Sequence, residues 1–314
     1  AAIVGPATGV IAGVDAGKAT ITYTAGDKLR FTVNVQTYVS TPNKVSGAPV
    51  VAVKQGETAA TAYTVIDDWK FDLGDSTITY QIADTSIATV DTDGNVTGAA
   101  AGETVMIVKA GKLEKRVNIS VYTEDGLVEP TDGMIITSDV KFKPGTYILP
   151  NGITIAAGDI TVDGNGAVIM SSENPVLDNG ANSEGYVNGG VGVTLNGYNN
   201  VTIKNLSAKH YNIGLFARDA KNLVISNNDF SDNFTNPDHG WGNGNRYGGI
   251  LLQNVSDSVI KNNNANNVWN ALMLVFSDKN KIYDNDFGIC SNVCLYMWGS
   301  SFNEIEDNIF NWGI

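Results

Sequence analysis

Several residue types are scarce in this chain of 314 residues. With only two cysteines and two histidines, a disulfide framework and a zinc site built from several cysteines are excluded. Charged residues make up 17% of the chain, below the usual share of about 25%. No apolar run approaches the roughly 18 residues of a membrane-spanning helix, so we expect no membrane span in this segment.

Basic residues are also few. The chain has 20 Lys and Arg against 33 Asp and Glu, which gives a net charge of −13. Because such a chain repels a phosphate backbone, we expect no nucleic-acid partner. The sequence does not begin with methionine, and we expect it to be a processed chain or part of a longer one.

Patterns typical of helices are absent. Short runs of Val, Ile and Thr are broken by Gly, Asn and Asp, and the chain holds 34 glycines but 8 prolines. Such runs, bounded by turn residues, are typical of β-strands. The sequence therefore predicts an all-β fold with many turns.

The first third contains an internal repeat. Residues 94–111 read GNVTGAAAGETVMIVKAG, and residues 9–26 read GVIAGVDAGKATITYTAG. An offset of 85 residues aligns four glycines of the two segments. The alternating strands around them predict a β-sandwich. We interpret residues 1–40 as the C-terminal half of one module and residues 50–123 as a complete second copy.

The second copy resembles a known family. Residues 86–105 read SIATVDTDGNVTGAAAGETV, which is similar to the bacterial Ig-like group 2 (BIG2) family. The matching residues are Ala88, Thr89, Val90, Asp91, Gly94, Val96, Thr97, Gly98 and Gly102. The resemblance implies an Ig-like spacer or adhesive module of a surface or secreted protein.

A second repeat follows residue 200. Triplets of the form Ile-x-Asn or Ile-x-Asp begin at Ile203, Ile225, Ile260, Ile282 and Ile305, with spacings of 22, 35, 22 and 23 residues. A period near 22 is typical of one coil of a parallel β-helix. We expect these isoleucines to form one buried ladder. We expect the Asn or Asp of each triplet to stack in the turn and to bond the backbone of the neighbouring coil.

Residues 125–314 resemble two groups of β-helix proteins. The segment KPGTYILPNGITI is similar to the entry coils of pectate-lyase-like proteins, and NVTIKNL and NKIYDNDF are similar to NosD-type repeats. The resemblance implies a right-handed, single-stranded parallel β-helix. It leaves the activity open, since this architecture hosts lyases, hydrolases, epimerases, adhesins and structural proteins. The last coil lacks a polar cap, so we expect the domain to be truncated at its C-terminal end.

One interval breaks the period. The 35-residue step contains an insertion at 233–249, and insertions in a solenoid project from one face. Coil phasing places His210, Asp232 and Asn267 on successive coils below this loop. A lyase needs a base and a cation, and a hydrolase needs two carboxylates. The candidate catalytic residues are His239, His210, Asp238, Asp232 and Arg246.

Aromatic residues near the same face suggest sugar binding. Aligning the coils by their isoleucines places Leu251, Met273 and Tyr296 in one outward column and Gln253, Val275 and Trp298 in another. The candidate carbohydrate-binding residues are Trp241, Tyr247, Trp269, Tyr296 and Trp298. The alternatives are that the loop is a decoration and that these rings are buried under it or against another domain.

Two further predictions concern cysteine and cofactors. Cys290 and Cys294 lie four residues apart, a spacing that suits a disulfide or two buried thiols. We expect no metal or other cofactor. Ca²⁺ is the one ion that the many Asp and Asn oxygens suit, although no EF-hand loop is present.

These observations favour an extracellular or cell-surface protein that binds polysaccharide or cell-envelope glycan. If the protein is an enzyme, it cleaves the polysaccharide that it binds. As an enzyme it would be a polysaccharide lyase or a glycoside hydrolase. The alternative is a non-enzymatic component of a surface layer, fibre or adhesin. In both cases we expect neighbouring modules or subunits of a longer chain as partners.

Overall fold

A computed structural model describes residues 2–4, 11–13, 16–25, 29–37, 40–67, 72–74, 77–174, 190–234 and 247–311. The chain divides into two compact units, Ala1–Lys44 with Thr64–Ser76 and Val45–Tyr63 with Thr77–Ile314. Every regular element among the described residues is a β-strand. The predicted all-β fold is therefore confirmed.

The first unit contains two antiparallel hairpins. One pairs β1 (Ala2–Val4) with β2 (Ile11–Gly13), and the other pairs β3 (Gly17–Ala25) with β4 (Leu29–Thr37). Strand β5 (Pro42–Ser46) crosses the division between the units, and β8 (Thr64–Asp67) belongs to the first.

An Ig-like module opens the second unit. Its strands are β6 (Val50–Lys54), β7 (Thr58–Ala59), β9 (Thr79–Ile82), β10 (Ala88–Val90), β11 (Val96–Gly98), β12 (Gly102–Ala110) and β13 (Leu113–Tyr122). They form a four-stranded sheet in the order β6-β13-β12-β9 and a three-stranded sheet in the order β10-β11-β7. Met106, Val117 and Ile119 are fully buried in its core. Because side chains alternate along a strand, the residues between them face outward.

The 85-residue repeat is visible in the strand bounds. Strand β2 (Ile11–Gly13) corresponds to β11 (Val96–Gly98), and β3 (Gly17–Ala25) corresponds to β12 (Gly102–Ala110). Gly17 and Gly102 have φ angles of 149° and 154°. The two segments thus share their strand ends as well as their glycines, as expected of two copies of one unit.

The remaining strands form a parallel β-helix of three sheets. Sheet A contains β14 (Met134–Ile136), β17 (Ile153–Ile155), β20 (Val191–Asn196), β23 (Ile213–Lys221), β25 (Gly248–Ser256), β27 (Val268–Val275) and β29 (Cys290–Trp298). Sheet B contains β15 (Val140–Lys141), β18 (Thr161–Asp163), β21 (Thr202–Lys204), β24 (Val224–Ser226), β26 (Val259–Lys261), β28 (Lys281–Tyr283) and β30 (Glu304–Glu306). Sheet C contains β16 (Thr146–Ile148), β19 (Val168–Met170) and β22 (Ser207–Lys209).

The predicted isoleucine ladder is confirmed. In sheet B the residues paired from coil to coil are Ile203, Ile225, Ile260, Ile282 and Ile305. The first four are fully buried, and Ile305 on the last described coil is partly buried. The 35-residue spacing between Ile225 and Ile260 therefore preserves the strand pairing of sheet B, and the isoleucine ladder continues across it.

The turn after sheet B agrees with the sequence-based interpretation in its backbone, because the N–H groups of Asn205, Asn227 and Asn262 donate to carbonyl oxygens of the neighbouring coil. The side-chain ladder, however, lies at another position. The Asn or Asp of each triplet has a φ between 53° and 59°, in the left-handed region that these two residue types tolerate. We call these five residues the turn column: Asn205, Asn227, Asn262, Asp284 and Asp307. The left-handed turn directs the next side chain inward, so the buried amide ladder lies one position later. It consists of Asn228, Asn263, Asn285 and Asn308.

Candidate functional site

Four of the predicted site residues, Asp238, His239, Trp241 and Arg246, lie outside the described residues. The other six lie on the β-helix. His210 and Asp232 occupy the corner that precedes sheet A, together with Tyr247 and Trp269. Tyr296 and Trp298 lie on the last strand of the sheet, β29.

The corner stacks from coil to coil as predicted. His210, Asp232 and Asn267 have φ angles of 61°, 59° and 54°. The His210 N–H donates to the Asp232 carbonyl oxygen at 3.1 Å, and Asn267 Nδ2 donates to Asp232 Oδ1 at 3.0 Å. Equivalent turns with left-handed backbone thus place the three residues in one column.

Lys209 holds the two carboxylates of the corner. Lys209 Nζ lies 3.0 Å from Asp232 Oδ2 and 3.1 Å from Asp229 Oδ2. Burial lowers the pKa of Lys209, but the two carboxylates outweigh burial and the pKa is raised. Burial likewise raises the pKa of Asp232, but Lys209 and the Asn267 hydrogen bond outweigh it and the pKa is lowered. Asp232 is therefore ionised at neutral pH and is not suited to act as a general acid.

The His210 backbone and ring contact the segment before β20. Ser171 Oγ donates to the carbonyl oxygen of His210, and His210 Nδ1 lies 2.7 Å from the Ser172 carbonyl oxygen. Two residues after His210, Asn212 is fully buried, and its side-chain amide has no hydrogen-bond partner among the described residues. Sequence reasoning missed Asn212, since no pattern separates it from the other asparagines.

The ion pairs predict a pH-dependent stability of the corner. A carboxylate with a lowered pKa stabilises the folded state above its unfolded pKa and ceases to do so as the pH falls through the folded value. Asp232→Asn should thus lower the melting temperature at pH 7 by about 1–3 °C, as expected for a partly exposed pair. The difference should shrink as the pH falls below 3.8, the ordinary value for Asp, and should vanish only below the lower pKa of the folded state.

Asp307→Asn is the matched control, because Asp307 shares the left-handed backbone and makes no ion pair within the described residues. Its melting temperature should follow wild type across the same pH range. An Asp232→Asn difference that does not shrink as the pH falls below 3.8, or that the control shares, would contradict the ion-pair interpretation.

The aromatic candidates divide into buried and outward rings. Trp269 is 4% exposed and packs on Phe234, with ring centroids 6.3 Å apart. A buried ring offers no face to a sugar, so Trp269 serves the packing of the corner. Tyr247 is half-buried directly before β25. Trp298 is 59% exposed, and Tyr296 is half-buried two residues earlier on the same strand.

The outward register of sheet A is confirmed. Leu251 pairs with Met273, which pairs with Tyr296, and the inward neighbours Ile250, Leu252, Leu272 and Leu274 are buried. Two outward columns run along the sheet. The apolar column consists of Thr194, Phe216, Leu251, Met273 and Tyr296. Leu251, in the middle of this column, is covered and only 6% exposed. The outer column consists of Asn196, Arg218, Gln253, Val275 and Trp298.

The Ig-like module packs on the β-helix through polar contacts that sequence reasoning did not foresee. The shortest pairs between the outward face of β12 and β13 and the β-helix are Glu103 Oε1 with Lys204 Nζ at 2.6 Å, Ser120 Oγ with Asn165 Oδ1 at 2.7 Å, and Asn118 Nδ2 with Asn205 Oδ1 at 2.9 Å. Burial lowers the pKa of Lys204, but Glu103 and Asp163 outweigh it and the pKa is raised. The module is thus held by hydrogen bonds and charge.

Cysteine and metal sites complete the description. Cys290 and Cys294 are buried thiols that donate to the carbonyl oxygens of Phe287 and Asn311. Within the described ranges, no three His, Cys, Asp or Glu side chains are grouped so that they could hold a metal ion. In the same ranges, no helix has the length and apolar character needed to cross a membrane.

Two family models match the chain. The model of the right handed beta helix region matches residues 145–310. The model of the bacterial Ig-like domain (group 2) matches residues 40–121. A comparison with curated proteins gives no match. The domain boundaries proposed from the sequence stay predictions.

Solved structures of one protein match part of this chain. A structure of the S-layer protein SbsC, domains 4 and 5, is 21% identical with a TM-score of 0.29, and the match covers 39% of this chain and 66% of that one. A structure of SbsC domains 4–9 is 20% identical with a TM-score of 0.30, and the match covers 41% of this chain and 21% of that one. Each match spans less than two thirds of the SbsC chain.

Proposed function

The chain belongs to the right-handed β-helix family and carries a bacterial Ig-like domain ahead of the β-helix, and on this premise we propose that it binds polysaccharide. This combination of domains fits a surface protein. The proposal places the protein outside the cell or on its surface, where the β-helix contacts polysaccharide or cell-envelope glycan beside neighbouring modules or subunits.

The outward face of sheet A supports this proposal. Its outer column runs over five coils, from Asn196 to Trp298. Four strand spacings of about 4.8 Å give it a length of roughly 19 Å. A straight column of this length suits a glycan chain that lies along the axis of the β-helix.

The residue types of the two columns suit sugar rings. Trp298 and Tyr296 are alternate residues of β29 and therefore face the same side of the sheet. Their amphipathic rings can pack on the apolar face of a sugar. Arg218 Nε donates to Asn196 Oδ1 at 2.9 Å, which fixes the guanidinium beside the column. Together with Gln253, these groups can bond sugar hydroxyls.

The proposed surface continues towards the corner at 233–249. Tyr247 directly precedes β25, and in this proposal the sequence-based candidates Asp238, His239, Trp241 and Arg246 also contact the glycan. The described carboxylate Asp232 is already engaged by Lys209. Cleavage would therefore depend on the loop residues rather than on Asp232.

Trp298→Ala tests the binding surface. Because exposed aromatic residues often dominate binding surfaces, we expect affinity for bound polysaccharides to fall about tenfold or more. The measurement is a glycan array followed by titration of the positive glycans. Product release in the same samples tests cleavage, with His239→Ala as the variant that should abolish it.

Phe31→Ala is the matched control. Phe31 is 61% exposed, close to the 59% of Trp298, but it lies on the β3–β4 hairpin of the first unit. It should bind like wild type. If wild type binds no glycan, or if Trp298→Ala binds as tightly as wild type, the proposal fails. A non-enzymatic structural component of a surface layer or fibre is then the better interpretation.

A further inference from the structure

A cleft of about 290 Å³ lies between the Ig-like module and the β-helix. Its size is near the lower limit of ligand pockets, roughly 300 Å³. Six polar or charged side chains line it: Arg116 and Asn118 from the module, and Asn227, Lys261, Asn262 and Asp284 from the β-helix. Two outward faces thus meet there, that of β13 and that of the turn column.

Four of these side chains have no polar partner within the described part of the chain. Neither Arg116 nor Lys261 makes an ion pair, and the side-chain amides of Asn227 and Asn262 make no hydrogen bond. Lys261, Asn227 and Asn262 are nevertheless partly buried. Polar groups that are withdrawn from water usually have partners, so this cleft offers unused donors.

The first residue of the turn column shows the contrast. Asn205 Nδ2 donates to Asp163 Oδ1 at 3.0 Å and to Glu103 Oε1 at 3.2 Å, and its Oδ1 accepts from Asn118 Nδ2. On the next two coils, Asn227 and Asn262 have the same backbone conformation but lack such contacts. Contacts with the module and with Asp163 therefore satisfy the side-chain amide of Asn205. The side-chain amides of Asn227 and Asn262, which line the cleft, have no such partners within the described residues.

The cleft is lined by more cations than carboxylates, whereas the chain as a whole is acidic. The whole chain carries a net charge of −13, yet two cations and one carboxylate, Asp284, line the cleft. Lys261 Nζ lies 6.0 Å from the centroid of the Tyr283 ring, which places the ammonium against an aromatic face. A ligand that fits must supply an anionic group for the cations and polar atoms for the amides.

We propose that this cleft binds an acidic sugar residue, with its carboxylate or sulfate on Arg116 and Lys261 and its hydroxyls on Asn227 and Asn262. Arginine and lysine bind such anions through charge-assisted hydrogen bonds. Amides donate to and accept from hydroxyls, which a sugar ring carries at several positions. This site uses none of the residues of the sheet A surface, so either proposal can fail alone.

Titration calorimetry of the full chain with three saccharides tests the ligand class. The probes are trigalacturonate for the carboxylate, a disulfated galactose disaccharide for the sulfate, and galactotriose as the neutral match. We expect binding of one or both acidic probes, at least tenfold weaker binding of galactotriose, and weaker acidic binding at high salt. Hexaglutamate supplies carboxylates without a sugar and should bind at least tenfold more weakly than the best acidic saccharide.

Variants of the lining test the location. Arg116→Gln and Lys261→Gln should each weaken acidic binding about tenfold or more. Asn227→Asp should weaken it too, and Asp284→Asn should strengthen it several-fold. Both of these keep a residue type that the turn column already contains, so the fold is preserved. Lys112→Gln and Lys279→Gln remove exposed lysines that do not line the cleft and should leave binding unchanged.

Several results would overturn the proposal. No binding of either acidic probe excludes the site, and equal binding of galactotriose excludes the acidic class. Hexaglutamate binding as tight as the best saccharide identifies an acidic peptide site instead. Acidic binding that falls with Trp298→Ala and not with Lys261→Gln or Arg116→Gln assigns the ligand to sheet A.

Discussion

Asn263→Ala should destabilise the β-helix by about 3–5 kcal/mol, because it interrupts the buried amide ladder. Asn263 is fully buried. Its Oδ1 accepts from the N–H and Nδ2 of Asn228, each at 3.0 Å, and its Nδ2 donates to the Ile225 carbonyl oxygen and to Asn285 Oδ1. Alanine removes all these bonds and deprives the buried Asn228 N–H of its acceptor.

Guanidinium-induced unfolding measures this loss, with Asn196→Ala as the control. Asn196 is exposed and its side chain accepts one hydrogen bond, from Arg218. We expect the control to lose less than about 1 kcal/mol, the usual net value of one hydrogen bond. Equal losses for the two variants would show that the ladder adds nothing beyond an ordinary surface contact.

Ile260→Ala should cost about 2–5 kcal/mol, as expected when a large core side chain is truncated and a cavity remains. Ile260 is fully buried in the middle of the isoleucine ladder, paired with Ile225 on one side and Ile282 on the other. Successive coils are close-packed, so we expect them to close the cavity only in part. The loss is measured as the change in free energy of unfolding.

Ile135→Ala provides the same chemical change at the surface. Ile135 lies on β14 of the same β-helix and is 68% exposed. We expect its truncation to change the free energy of unfolding by no more than about 0.5 kcal/mol. If Ile260→Ala is equally mild, the ladder does not carry the packing of the core.

The periodic part of this fold was predictable from the sequence. One spacing, that of the repeated isoleucines, predicts three features. These are the isoleucine ladder, the outward columns of sheet A and the stacking of His210 on Asp232. Each contact of this kind joins a residue to its equivalent on the next coil, about 4.8 Å away. A repeat in the sequence therefore becomes a repeat in space.

The details within one coil were less predictable. The turn residues Asn205, Asn227 and Asn262 bond the neighbouring coil through their backbone N–H groups, as expected. The buried side-chain ladder lies at the next position, as Asn228 and Asn263 show. Trp269 was placed among the sugar-binding residues, yet it packs on Phe234. A period identifies equivalent positions and does not specify which way each side chain points.

By itself, the sequence determined the two kinds of repeat, the strands they produce and the residues that alternate between core and surface. Only the tertiary structure decided where the Ig-like module packs, because contacting residues such as Glu103 and Lys204 or Asn118 and Asn205 are distant in the chain and share no period. It also decided that Lys209 neutralises the corner carboxylates. Such contacts form only when two surfaces pack together, and the packing is determined jointly by the side chains of the two surfaces.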